Sequence, residues 1–167
     1  MGRHTFGEVT FVANSIDPQN LDHQLGFSLY VCSKELIRLY RPYLEEYNLT
    51  YTGYLVLSAL WEKDNVNIKE LGKRLTLDSG TLTPLLKKLE QAGFLERVRN
   101  PDDERYLSIA LTRRGRALRA KLEPMQAEVA KRLGLFDSEI LILETALHGL
   151  MSDLETVKEE EEKKFIK

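Results

Sequence analysis

Cysteine is nearly absent: Cys32 is the only one in 167 residues. One thiol cannot close an internal disulfide, so a reducing, cytoplasmic setting is expected. Histidine is almost as scarce. His4, His23 and His148 are scattered and form no cluster with metal-ligand spacing, so neither metal nor cofactor is expected. Aromatic residues make up only 8% of the chain. No stretch approaches the roughly 18 consecutive apolar residues of a membrane-spanning helix. The first twenty residues lack the basic start and apolar run of a signal peptide. With Gly2, Gly7, Asn14 and Pro18, residues 1–20 read as a flexible arm. Also missing are a Ser-His-Asp set, paired loop carboxylates and a phosphate-binding glycine loop. Those absences exclude the common enzyme classes, and the chain is not expected to be an enzyme.

What is present suits a soluble helical protein: 43% hydrophobic and 30% charged residues. The net charge of −2 hides an uneven distribution. Residues 62–116 hold twelve Lys/Arg against nine Asp/Glu, whereas residues 137–167 hold four against nine. A polyanion responds to the local face rather than to the whole-chain sum.

Leu25, Leu29, Leu36, Tyr40 and Leu44 predict a first helix over 21–47, with a kink or break near Arg41 because Pro42 follows. Thr50 is placed to cap a second, largely buried helix over 51–63. A polar link, 64–67, ends in Asn67, a good cap for a helix over 68–75. After a short turn, Asp78 or Ser79 opens another helix to about Gln91, which Gly93 is placed to stop. Its core face is Leu82, Leu85 or Leu86, and Leu89. Pro84 leaves two readings: it sits inside a helix starting at Ser79, or Thr83 is the cap and Pro84 the first helical residue. Residues 94–99 and 106–111 alternate as strands around the charged turn 100–104. Thr112 caps a long helix to about Leu133, with Pro124 a bend, and Asp137-Ser138-Glu139 opens the last helix. The fold class is mainly α with a small β-hairpin wing.

Helix, turn, helix and charged hairpin, in that order, suit DNA. The second helix fits a major groove and the hairpin reaches the adjacent minor groove or backbone. On the helix, Asp78, Ser79, Gly80, Thr81, Thr83 and Pro84 form the leading segment. Ser and Thr offer short donors and acceptors, and the free amides of a helix start favour a phosphate. Lys87 and Lys88 can neutralise phosphates. On the wing, Arg97, Arg99 and Arg105 are the basic candidates, with Asp103 placed to orient Arg105. The acidic tip, Asp102, Asp103 and Glu104, is the one feature that favours a different reading, a winged-helix protein-interaction module without DNA binding.

The segment from Leu77 to Glu90, LDSGTLTPLLKKLE, resembles the recognition helix of the MarR family of transcriptional regulators, in its OhrR/SarZ-like branch. The wing Asp103-Glu104-Arg105, Leu111-Thr112, the stretch Tyr51-Thr52-Gly53-Tyr54-Leu55 and His23-Gln24-Leu25 resemble the same family. The likeness covers about residues 21–155. It implies a winged helix-turn-helix lobe, 50–112, and a helical dimerisation region built from the first helix, 21–49, and from 113–167, which ends in an acidic tail. A homodimer would then address double-stranded DNA at a pseudo-palindromic operator, as a repressor. The apolar residues of the last helix, Ile140, Leu141, Leu143, Leu147, Leu150, Met151 and Leu154, exceed what one covered face needs.

One departure matters. Members of this branch with one sensing cysteine carry it just after Gln-Leu, held by two tyrosines. Here Gly26 occupies that position, while both tyrosine positions persist as Tyr30 and Tyr40. Cys32 lies six residues further on, about 240° around a helix from Gly26, and its simplest reading is an inert, buried or half-buried thiol. Gly26, Tyr30, Cys32 and Tyr40 are the candidate sensor or ligand pocket. Three alternatives stay open: Cys32 senses oxidant in a changed geometry, a small molecule binds, or no signal is needed.

Overall fold

The computed structural model describes residues 19–100 and 103–165, and side chains at 99–107 and 165 lie outside the described set. Most of the expected arm, 1–20, is likewise outside it. The chain divides into two compact units, one running to Tyr51 and the other from Thr52 to Lys167.

In the first unit a short 3-10 turn, Leu21–His23, precedes α1, Leu25–Glu45. The Asn20 side chain accepts the Asp22 N–H at 3.0 Å, and Gln24 is extended, so α1 starts four residues later than expected. The break near Arg41 does not occur: α1 runs through Pro42. A proline forfeits one helical hydrogen bond, which the flanking turns of a long helix can absorb. Asn48 takes a left-handed φ of 53° just past the helix end. Tyr40, Leu44 and Leu49 are buried, and the Tyr40 and Tyr51 rings lie 4.9 Å apart.

The second unit follows the order α2 (Tyr51–Glu62, its first residue shared with the first unit), β1 (Val66–Asn67), α3 (Ile68–Leu75), α4 (Ser79–Gln91), β2 (Leu95–Asn100), β3 (Asp103–Leu111), α5 (Arg113–Leu133) and α6 (Asp137–Phe165). The hairpin of β2 and β3 is antiparallel, with Leu95 opposite Leu111 and Arg97 opposite Ile109. β1 was expected to be part of a polar link. It pairs with the other side of β3, Val66 opposite Ile109, which makes the order β1-β3-β2. Two residues are too few to show an alternating pattern, so only the neighbouring strand reveals β1 as one.

The core of this unit is continuous. Val56, Leu57 and Leu60 of α2, Leu71 of α3, Leu82, Leu86 and Leu89 of α4, Phe94, Leu95, Ile109 and Leu111 of the sheet, and Leu118, Leu122, Met125 and Val129 of α5 are all buried. Each such side chain contributes roughly 1.5–3 kcal/mol relative to exposure. Gly115, in the first turn of α5, permits the closest packing: a Cβ there would stand 1.9 Å from the Phe94 carbonyl oxygen. Trp61 Nε1 donates to the Gly115 carbonyl at 3.0 Å, which fastens α2 to the same point.

Candidate nucleic-acid interface

α3 and α4 form the helix-turn-helix. Asn67 caps α3 by accepting the Glu70 N–H at 2.8 Å. α3 ends at Thr76, whose φ of 54° reverses the chain, and the Leu77 N–H bonds the Gly72 carbonyl at 2.9 Å. One residue later Asp78 caps α4. The helix therefore starts at Ser79, and of the two readings of Pro84 the one that puts it inside the helix holds. Pro84 sits on the exposed side, where the carbonyl it leaves unbonded can face water. Gly93, with φ of +74°, terminates the helix as expected.

The Asp78 carboxylate is committed to the cap. Oδ1 accepts the Thr81 N–H at 2.9 Å, and Oδ2 accepts the Thr81 hydroxyl at 2.8 Å. These bonds, the backbone one first, hold the Asp78 carboxyl below its ordinary range. A Cβ at residue 80 would come within 2.9 Å of Asp78 Oδ1, so Gly80 leaves room for the cap. The Thr81 hydroxyl, expected to be available to DNA, is occupied here, although the residue itself is exposed.

With Leu82, Leu86 and Leu89 inward, helical geometry places Gly80, Pro84 and Lys87 near the centre of the outer face. Thr83 and Lys88 flank them, and Ser79 lies in the leading turn. All of these residues are exposed. Arg97 is different. It is half-buried and pairs with Glu90 of α4, Nε to carboxylate 3.2 Å, so it ties β2 to α4. The backbone of Arg99, Asp103 and Arg105 belongs to β2 and β3. Their side chains, and with them the expected Asp103–Arg105 contact, lie outside the described set.

The four residues of the candidate sensor do not gather within the chain. Nothing stands within 4 Å of a Cβ at residue 26, Tyr30 is 63% exposed, and Tyr40 is buried. Cys32 is exposed, contrary to the buried or half-buried thiol expected. Its helix buries only Tyr40 and Leu44, near its far end. Among the described residues no group of three or more His, Cys, Asp or Glu side chains is placed to hold a metal ion. No helix among them is long and apolar enough to cross a membrane.

Asp64 carries a function that sequence reasoning missed. Its carboxylate accepts the Leu111 N–H at 2.8 Å and pairs with Arg116, joining the α2–β1 turn to β3 and α5. An Asp before a two-residue strand gives no periodic signal, and only Asn65, at a left-handed φ of 56°, hints at a designed turn.

A helix-turn-helix followed by a two-stranded hairpin against one apolar core defines a winged-helix protein. The family described as Transcriptional regulator SarA/Rot matches residues 38–122. The HTH-type transcriptional regulator SarZ of Staphylococcus saprophyticus is 46% identical over 132 residues, covering 79% of this chain and 90% of that protein. AbfR of Staphylococcus epidermidis shares the fold with a TM-score of 0.68 at 33% identity, covering 81% of this chain and 94% of that one. AbfR structures include a reduced form bound to DNA. A MarR mutant from E. coli complexed with operator DNA matches with a TM-score of 0.67 at 28% identity, covering 75% of this chain and 92% of that one. The chain belongs to the MarR family of transcriptional regulators, in the SarZ/OhrR type.

Proposed function

We propose that the protein is a cytoplasmic transcriptional repressor that binds a pseudo-palindromic operator as a homodimer. The observation that carries this reading is the outer face of α4. Its three leucines are buried, yet the opposite side presents Ser79, Thr83, Lys87 and Lys88 without a covering element. Short hydroxyls can read base edges, and the two lysines can neutralise phosphates. Arg99 and Arg105 extend the interface into the wing, while Arg97 positions β2 through Glu90. AbfR and MarR, both similar to this chain, have structures bound to DNA, which supports a DNA-binding reading.

The dimer reading rests on apolar surface. Leu141, Ile142, Leu143, Leu147, Met151 and Leu154 of α6 are all exposed, as are Leu25, Tyr30, Leu36 and Ile37 of α1. A second copy would cover both sets, giving residues 21–49 and 113–167 the role of dimerisation region. Gly26 removes the usual thiol, so any oxidant signal would have to act at Cys32.

Fluorescence anisotropy with DNA from upstream of the protein's own gene tests this. Binding to that DNA is expected to exceed binding to scrambled DNA by about a thousandfold at physiological salt. Lys87→Ala is expected to reduce the slope of log affinity against log salt by about one. Release by an organic hydroperoxide, abolished by Cys32→Ser, would assign sensing to Cys32. Equal binding to scrambled DNA would overturn the repressor reading in favour of an interaction module.

A further inference from the structure

The β1–β3 register pairs Val66 with Ile109 and Asn67 with Ser108. Continued by two residues, it places position 64 opposite Leu111. The strand cannot reach that far, because Asn65 is left-handed. The Asp64 side chain stands in for the missing strand: Oδ1 accepts the Leu111 N–H, 2.8 Å, and the Asn65 N–H, 2.8 Å. The other oxygen, Oδ2, receives the Arg116 guanidinium from the first turn of α5. Nearby, Trp61 Nε1 donates to the Gly115 carbonyl and Arg119 Nη1 donates to the Trp61 carbonyl. One half-exposed carboxylate thus joins the root of the wing to the first turn of α5.

We propose that Asp64 is a positioning residue for DNA recognition. It clamps the root of β3 to the first turn of α5 and so fixes the pose of the wing relative to α5, one of the helices proposed to join two copies. The inference rests on the repressor reading. Two lobes held at a fixed pose demand a fixed separation of half-sites. If the clamp slackens, the lobes tolerate other separations.

The test uses the full-length protein and an operator selected from random DNA, rebuilt with one or two base pairs inserted or deleted between half-sites. Asp64→Asn keeps an oxygen for Leu111 but loses the ion pair, and Arg116→Gln removes the same pair from the other side. The wild type is expected to lose about thirtyfold in affinity on a two-base-pair insertion, and each variant only about threefold, a change within the usual size of coupling between sites. A merely destabilised protein would lose affinity equally at every spacing. Such a parallel loss, or no change, would overturn the proposal. Amide hydrogen exchange on the free protein supplies a second readout. Exchange is expected to quicken along β3 in both variants, and quickening confined to Leu111, or absent, would overturn the clamp. If the wild type selects no operator while β3 exchange quickens, the repressor reading falls and the clamp between wing and α5 stands.

Discussion

α4 and α6 are both helices with recurring leucines, and they meet opposite fates. The thirteen residues of α4 bury Leu82, Leu86 and Leu89 and expose polar side chains. The twenty-nine residues of α6 bury none among those described, although Leu141, Ile142, Leu143, Leu147, Met151 and Leu154 are large and apolar. The difference lies in what surrounds each helix. α4 meets α3 and the sheet within one chain, so its apolar side is satisfied there. α6 carries leucines on more of its circumference than a single neighbour covers, and they stay exposed. In the homodimer proposed above, a second copy would cover the leucines of α6, whereas those of α4 are covered within the chain.

The strongest test of that contrast strikes the lobe. Gly115→Ala would force a Cβ onto the Phe94 carbonyl, which is backbone and cannot swing aside. It is expected to destabilise the lobe by about 3 kcal/mol, read from urea unfolding followed by Trp61 fluorescence. A wild-type midpoint would show that the helix–strand contact is looser than described.

The second test strikes α6 and should spare the lobe. Leu143→Glu with Leu147→Glu is expected to convert a dimer to monomer in sedimentation and to weaken operator binding by about a hundredfold, the scale set by losing bivalency. The Trp61 unfolding midpoint should stay near that of the wild type. Loss of the lobe's fold in the double variant would erase the distinction between the two regions.

The smallest effect is at the cap. The Asp78 carboxyl is lowered in the folded chain by the Thr81 amide and hydroxyl. Its contribution to α4 is therefore fully present above the unfolded value near 3.8 and is lost as pH falls through the lower, folded value. Protection of the Thr81 amide, its exchange rate relative to the intrinsic rate at each pH, is expected to fall as pH drops below 3.8 through the folded value. Asp78→Asn keeps an acceptor without a titrating group and should show no such extra change.

Much of this was open to a reader of the sequence because the signals are local. Asn67, Asp78 and Thr112 are caps, and a cap is a side chain bonding an amide three residues on. Gly93 ends its helix by backbone freedom alone. Lys87 and Lys88 face outward because Leu86 and Leu89 face inward. What the sequence did not show depends on a neighbouring element. Arg97 was read only as a basic candidate on the wing, and the fold also places Glu90 beside it. β1 looked like linker until β3 lay alongside.

By itself, then, the sequence determined the helices, the caps at Asn67, Asp78 and Thr112, the hairpin and the polar outer face of α4, since each follows from periodicity or from one residue's backbone or capping preference. Only the tertiary structure decided that Asp64 closes the sheet edge and binds Arg116, that Glu90 claims Arg97, and that Gly115 lets α5 touch Phe94. Those contacts join residues that lie on different elements. Their energy exists only once loop closure has brought the partners together, and no local pattern records it.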